Sequence, residues 1–266
     1  MKELAVCVQG DNRGVTPFET VDAICKAGFK NVFVQYYHRE DIDYDELEVI
    51  DYCKRCGLNI IFCHLGYKYI NDIWIEGEVG DKLTQSYMDD LDVLKERGIY
   101  QAMMHLTTRI DVPMYNPVGL ARIQKIVNHA KELGMKLGLE NTRYQGYLEY
   151  VLGAIQDETV GLCMDAGHIH VHFHDEFNYE FFKDRYYMIH LHDNHANYDE
   201  HLLPFDGTID WEFVMRKLKE NRYDGPITLE LCYRNEYMKE SIEDFYKEGY
   251  QRGLKLAEIL ERVDIT

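Results

Sequence analysis

Tyr187-Met-Ile-His-Leu-His-Asp-Asn-His195 is a short apolar run that ends in alternating histidines. Alternate side chains of an extended strand lie on the same face, so we expect His190 and His192 to point the same way, beside Asp193. Two imidazoles next to a carboxylate are unfavourable to bury unless they bind a partner. The segment therefore predicts a strand that ends at a metal ion, with other ligands supplied by the ends of other strands.

The same kind of unit, a short apolar strand followed by a helical segment, recurs along the whole chain. The predicted strands are residues 3–8, 31–36, 58–63, 100–104, 135–139, 160–164, 186–191 and 226–229. The predicted helices are residues 16–28, 44–56, 82–97, 116–134, 147–155, 175–184, 210–221 and 238–263. Eight such units in 266 residues, with continuously apolar strands, predict one α/β domain over residues 1–266, a single (β/α)8 TIM barrel.

Composition limits the class of partner. Hydrophobic residues make up 46% of the chain, and its formal net charge is −18. Such a charge repels phosphate backbones, so nucleic acid is disfavoured as a partner, whereas a small polar molecule or a cation is favoured. No apolar run reaches the length of about 18 residues that a membrane span needs. We expect a cytoplasmic protein that does not bind membranes, and a homo-oligomer is compatible with these numbers.

The predicted strands from the third to the eighth all end in side chains that bind metals. In chain order these residues are His64, His105, Glu140, Asp165, His190 and Glu230. The C-terminal ends of barrel strands meet at one rim, where TIM-barrel active sites lie. Carboxylates with one or two imidazoles suit Mn²⁺, Mg²⁺ or Co²⁺, and additional imidazoles favour Zn²⁺. The sequence thus predicts a divalent metal ion at this rim, with Zn or Mn ahead of Mg or Co.

Further polar residues near these strand ends are candidates for a second metal or for the substrate. His168 follows Asp165 by three residues, and Asp199 and His201 lie in the loop after the seventh strand. Asp193 has two interpretations, a partner that orients a ligand imidazole or a cap within its loop. The alternating run of histidines from His170 to His174 is typical of an exposed loop.

At these residues the chain resembles the superfamily of metal-dependent barrels that contains sugar isomerases, xylose isomerase and endonuclease IV. The similarity covers essentially the whole chain. It rests on Gly138-Leu-Glu-Asn-Thr142, Met164-Asp-Ala-Gly-His168, Ile189-His-Leu-His-Asp-Asn194, Gly207-Thr-Ile-Asp-Trp211 and Thr228-Leu-Glu-Leu231.

The resemblance to the sugar epimerases of this group implies specific roles. One divalent metal would be held by Glu140, Asp165, His190 and Glu230, with His192 as the alternative to His190. Glu140 and Glu230 would also move the proton as acid and base, and His168 would contact the substrate. The implied activity is that of a metal-dependent isomerase or epimerase in carbohydrate metabolism, acting on a sugar, a sugar phosphate or a related polyol through an enediolate.

The resemblance to endonuclease IV implies a rival, a zinc-dependent phosphoesterase with a multinuclear site. His64, His105, Asp199 and His201 fall where its extra ligands would be. The charge of −18 and the isomerase-like motifs argue against it. Relatives often have glycine where this chain has Phe205, which we expect to narrow the approach of a phosphorylated sugar. A non-catalytic metal- or sugar-binding barrel is the third alternative.

Overall fold

Eight parallel strands lie side by side around a central axis in the computed structural model, which describes residues 2–8, 14–38 and 42–264. Their bounds are β1 Leu4–Cys7, β2 Asn31–Tyr36, β3 Asn59–Leu65, β4 Gln101–Met104, β5 Lys136–Glu140, β6 Val160–Asp165, β7 Tyr186–His190 and β8 Ile227–Leu229. The sheet runs from β7 through β1 to β8. It closes where Leu191 N donates to Thr228 O at 3.0 Å and Glu230 N donates to Leu191 O at 3.0 Å. The predicted (β/α)8 barrel is confirmed.

The helices cover the outside of this barrel. They are α1 Pro17–Ala27, α2 Glu46–Arg55, α3 Glu78–Glu96, α4 Pro117–Glu132, α5 Gln145–Ala154, α6 Ala166–His172, α7 Trp211–Glu220 and α8 Ile242–Arg262. Side-chain caps fix where several begin: Thr16 and Glu19 form a capping box before α1, and Asp210 accepts from Phe213 N at 3.0 Å before α7. Of the helices described here, none is long and apolar enough to cross a membrane.

The helix that follows β6 lies in a different place from the one predicted. The sequence predicted a helix over residues 175–184, but that region contains two short 3-10 helices, His174–Glu176 and Tyr179–Phe182. The helix is Ala166–His172, so His170 and His172 are helical rather than part of an exposed loop. Asp165 ends the strand and caps this helix by accepting from His168 N at 2.6 Å. The helix therefore starts immediately after the strand, and its seven residues are too few to show the amphipathic periodicity of a longer helix.

A layer of apolar side chains fills the lumen of the barrel. It consists of Cys7, Phe33, Phe62, Met103, Cys163 and Met188, all buried. Side chains two residues apart on a strand share a face, so the residues two positions after Phe62 and Cys163 also point inward. Phe62 is followed in this way by His64, and Cys163 by Asp165. The layer is thus the floor of a second, polar layer at the C-terminal rim.

Gly138 lies on β5 two residues before Glu140, so it faces the lumen at the level of the apolar layer, where it contributes no side chain. A Cβ there would lie 2.8 Å from Met188 Sδ and 3.2 Å from Cys163 Cβ. We expect Gly138→Ala to destabilise the fold by about 1–3 kcal/mol because it overpacks the lumen.

Urea unfolding measures this change. The control is Gly146→Ala at the start of α5, where the nearest atom to a new Cβ is Tyr115 Cε1 at 3.7 Å. We expect it to leave the stability unchanged or raise it by less than about 1 kcal/mol. Equal stabilities for both variants would contradict a filled lumen.

Candidate metal centre

Four of the predicted site residues meet at the C-terminal rim. Glu140, Asp165 and His190 are the last residues of β5, β6 and β7, and Glu230 directly follows β8. One potential ligand atom from each lies within 4.8 Å of the others, and all four side chains are buried. The structure thus brings together the four side chains that the resemblance implies as ligands.

His190 lies against the carboxylates, and its ring stacks on an aromatic side chain of the lumen floor. Its Nδ1 lies 2.7 Å from Glu140 Oε1, 3.3 Å from Glu230 Oε2 and 3.8 Å from Asp165 Oδ2. The ring stacks on Phe33 of the lumen floor with a centroid distance of 4.7 Å. The apolar layer therefore fixes the plane of the His190 ring beside the carboxylates.

His192 points to the same side, as predicted, and belongs to neighbouring groups of potential ligands. Its Nε2 lies 3.2 Å from both Asp165 oxygens and 3.5 Å from Asp199 Oδ1. Its ring stacks on His201 at 4.0 Å. The two histidines thus face different members of the polar layer, His190 the Glu140 side and His192 the Asp199 side.

Two further imidazoles approach Glu140. His105 Nε2 lies 2.6 Å and His64 Nε2 lies 3.9 Å from Glu140 Oε2. His64, His105 and Glu140 form their own group of potential ligands.

Asp199 stands among three imidazoles on the other side. Its Oδ2 lies 2.9 Å from His201 Nε2 and 3.4 Å from His168 Nε2, and its Oδ1 faces His192. The residues named from the sequence as possible additional metal or substrate contacts therefore surround the four-residue group, Asp199 through its contacts with His192 and His201.

Backbone carbonyls orient three of these rings. His64 Nδ1 donates to Leu65 O at 2.9 Å. In the same way His168 Nδ1 donates to Asn141 O at 2.9 Å and His201 Nδ1 donates to Glu230 O at 3.2 Å. A carbonyl only accepts, so Nδ1 carries the hydrogen and Nε2 of each ring is turned toward the carboxylates. This arrangement is the one that orients histidine ligands in metal sites.

Burial and the neighbouring charged groups shift the pKa values of the buried carboxylates in opposite directions. Burial raises the pKa of Glu140, but His190 and His105 lower it, and the net pKa is well below its ordinary value. Burial likewise raises the pKa of Asp199, and His201 and His192 bring it well below the ordinary range. Burial lowers the pKa of His64 to about 3, which keeps its ring neutral. Neutral imidazoles and ionised carboxylates are the forms that bind metals. Burial lowers the pKa values of His168 and His201, but the neighbouring carboxylates bring them well above the ordinary value, so a cation would displace protons from these rings on binding.

The charge balance of the site fits a bound cation. In the described part of the chain, every ion pair of Glu140, Asp165, Asp199 and Glu230 is with a histidine. Asp199 Oδ1 is buried without a hydrogen-bond donor, and the ion pairs of Glu140 Oε2 are with His64 and His105. Grouped carboxylates without enough positive charge are unfavourable to bury. The donor set of carboxylate oxygens and imidazole nitrogens suits Mn²⁺ or Zn²⁺.

Asp193 organises the loop between β7 and α7 rather than orienting an imidazole. Its carboxylate accepts from Phe205 N at 2.9 Å, from Ile209 N at 3.1 Å and from Trp211 Nε1 at 3.0 Å. A Cβ on Gly207 would lie 2.3 Å from Asp193 Oδ1, which explains the glycine of the Gly207–Trp211 motif. Of the two interpretations of Asp193, the loop cap is the one that these contacts support.

Phe205 does not narrow the approach to the site, contrary to the sequence-based expectation. Its φ of +77° is in the left-handed region that favours glycine. The ring lies under Lys255 Nζ at 3.8 Å, near Trp211, and is not among the residues that line the cavity. The backbone thus keeps the glycine-like geometry while the side chain points toward α8.

A cavity of about 310 Å³ opens above the polar layer. Besides the predicted residues, its described lining consists of Gln35, Tyr37, Tyr67, Cys232, Tyr233 and Arg234. Tyr37 directly follows β2, so the strand-end argument could have found it. Arg234 lies in a loop that no periodic pattern marks, and the sequence gives no signal for its position.

Comparison with known proteins gives one matching family model. It is described as the xylose isomerase-like TIM barrel and matches residues 21–251. The uncharacterized protein y4fM of Sinorhizobium fredii (strain NBRC 101917 / NGR234) is 29% identical over 139 residues, which are 52% of this chain and 43% of that protein. The chain therefore matches less than half the length of this relative.

Solved structures of sugar epimerases share the architecture. A D-tagatose 3-epimerase-like protein is 20% identical with a TM-score of 0.74 over 98% of each chain. D-psicose 3-epimerase from Clostridium cellulolyticum H10, solved with D-tagatose, is 13% identical with a TM-score of 0.74 over 98% of this chain and 99% of its own. At these identities the likeness establishes a common fold.

The role of Asp193 in holding the loop between β7 and α7 can be tested by substitution. We expect Asp193→Ala to lower the free energy of unfolding by about 3 kcal/mol, because two buried donors and one part-buried donor lose a charged acceptor. Urea unfolding followed by tryptophan fluorescence measures the loss. Asp210→Ala removes only an exposed helix cap and is expected to cost about 1 kcal/mol. A loss for Asp193→Ala no larger than for this control would contradict the role given to Asp193.

Proposed function

We propose that this chain, which belongs to the xylose isomerase-like TIM barrel family, is a divalent-metal-dependent isomerase or epimerase of a sugar, a sugar phosphate or a related polyol. The observation that carries the proposal is the convergence of Glu140, Asp165, His190 and Glu230 within 4.8 Å of one another. The sugar epimerases among the structural neighbours support the choice of substrate class. A cytoplasmic location and a homo-oligomer stay predictions.

The proposed metal ligands are Glu140, Asp165, His190 and Glu230. A divalent ion held by them would supply positive charge that stabilises negative charge on neighbouring substrate oxygens. His168, oriented by Asn141 O, lines the same cavity and is the proposed contact to a substrate oxygen.

Glu140 and Glu230 are the proposed acid and base. They approach the cavity from β5 and from the end of β8, and both line it. One carboxylate takes a proton from the carbon next to the substrate carbonyl. Return of a proton by the other on the opposite face inverts that carbon, and return to the neighbouring carbon isomerises the sugar.

Deuterium exchange tests this chemistry. We expect the protein, loaded with Mn²⁺, Co²⁺ or Zn²⁺ and incubated with a panel of ketoses in D₂O, to place deuterium next to the carbonyl of at least one sugar. Mass spectrometry measures the incorporation. Sugar binding without incorporation under any of these metals would instead indicate a non-catalytic binding protein.

Glu230→Gln separates chemistry from folding. It removes a proposed ligand charge and a proposed base together, so we expect deuterium incorporation to fall by about 100-fold or more. The melting temperature of the metal-free protein should stay close to that of the wild type. Glu132→Gln, an exposed change on α4, is the control and should keep full activity. Full activity of Glu230→Gln would remove Glu230 from the mechanism.

A second candidate function is a zinc-dependent phosphoesterase of the endonuclease IV type. It is favoured by donors beyond those one ion needs: His64 and His105 beside Glu140, and His168, His192 and His201 around Asp199. A multinuclear site is suited to in-line displacement at phosphorus. The net charge of −18 weighs against a nucleic-acid substrate.

Metal stoichiometry distinguishes the two candidates. The isomerase proposal expects one tightly bound divalent ion per chain, and the same number in His201→Ala, because that variant keeps the four proposed ligands. Inductively coupled plasma mass spectrometry after dialysis gives the count. Three zinc ions in the wild type, fewer in His201→Ala, and hydrolysis of a phosphodiester would transfer the assignment to the hydrolase.

A further inference from the structure

Arg234 is a cationic side chain in a cavity otherwise lined by acidic, imidazole and neutral groups. It lies between β8 and α8, and it is the one lysine or arginine among the described residues that line the cavity. The protein as a whole carries a charge of −18, so it repels a negatively charged ligand at a distance. A positive group at the cavity wall is therefore the local feature that would favour one.

The guanidinium of Arg234 is anchored but not neutralised. Its Nη2 donates to Asp199 O at 3.2 Å and to Glu200 O at 3.0 Å. Its Nε is buried without a hydrogen-bond acceptor, and no ion pair among the described residues includes Arg234. Arg252, on α8, shows the usual arrangement, with Glu248 at 2.6 Å and Asp206 at 3.3 Å. Arg234 thus has donors and a charge that no carboxylate of the described chain uses.

An arginine fixed in this way matches an oxyanion. The N–H donors that its two carbonyl contacts leave unused, together with its positive charge, can bind a carboxylate or a phosphate, and anchoring lowers the conformational entropy lost on binding. The cavity of about 310 Å³ is within the size of small-ligand sites. Phe205, which the sequence suggested as an obstacle to a phosphorylated sugar, points away from the cavity.

We propose that Arg234 binds an anionic group of the substrate, a phosphate or a carboxylate, so that the substrate is an acidic rather than a neutral sugar. This inference rests on the proposed isomerase or epimerase function and narrows its substrate class. The anionic group lies at the Asp199 side of the cavity, away from the carbon that exchanges its proton between Glu140 and Glu230.

Matched pairs of neutral and anionic sugars test the proposal. The probes are D-fructose with D-fructose 6-phosphate, and D-glucose with D-glucuronate, titrated calorimetrically into the full chain loaded with Mn²⁺. We expect the wild type to bind an anionic member about 10- to 100-fold more tightly than its neutral partner. The pair that shows the difference identifies phosphate or carboxylate as the recognised group.

Three variants separate recognition from support of the loop. We expect Arg234→Gln to lose the preference while its affinity for the neutral sugar and its metal content stay unchanged, and Arg234→Lys to keep part of the preference. Arg55→Gln, an exposed change at the end of α2, should behave as the wild type. Equal binding of both members by the wild type, or a preference that survives in Arg234→Gln, would overturn the proposal. An equal loss for both members in Arg234→Gln would reduce Arg234 to a support of Asp199 and also overturn it.

Failure of the proposed function has a different signature. If no sugar binds to the metal-loaded wild type, the isomerase proposal fails, and titration with inorganic phosphate decides the role of Arg234. Phosphate binding that weakens about tenfold or more in Arg234→Gln, but not in Arg55→Gln, keeps the anion site. Equal phosphate binding in both variants, or none in the wild type, overturns it.

Discussion

The structure depends on the burial of several carboxylates in one small volume. Glu140, Asp165 and Glu230 face each other at the rim of the barrel, and His192 lies between Asp165 and Asp199. Ionised carboxylates repel one another and lose hydration when buried, so such a group needs compensating positive charge. Imidazoles are the partners that the described chain provides. The carboxylates stabilise the protonated form of His190. Burial lowers the pKa of this ring, but Glu230 and Glu140 raise it, and the result is a pKa of about 9.

Two other features of the barrel serve this polar layer. The apolar floor beneath it includes Phe33, against which the His190 ring stacks at 4.7 Å. Asn141 ties the ends of β5 and β6 together, because its side chain donates to Asp165 O at 2.9 Å and accepts from Asp165 N at 2.8 Å. The positions of the carboxylates thus follow from lumen packing and from bonds between neighbouring strand ends.

The sequence predicted the barrel and the group at its rim because both depend on local patterns. Strand ends are easy to recognise, and parallel strands of a barrel bring those ends together, so Glu140 and His190 could be placed without coordinates. Features that depend on how loops return to the barrel could not be predicted. The direction of the Phe205 side chain is set by its left-handed backbone and by Lys255, which is 50 residues away in sequence. Arg234 reaches the cavity through contacts with carbonyls 34 and 35 residues earlier in the chain.

Three histidine rings owe their orientation to backbone oxygens of residues 65, 141 and 230. A carbonyl is present whatever side chain the residue carries, so this part of the geometry is inherited with the fold and not with particular amino acids. Natural variation at Leu65 would leave the acceptor of His64 intact. The side chains that contact the substrate can therefore change in evolution while the imidazoles keep their orientation. In this way one scaffold can acquire new specificities with the same arrangement of metal-binding groups.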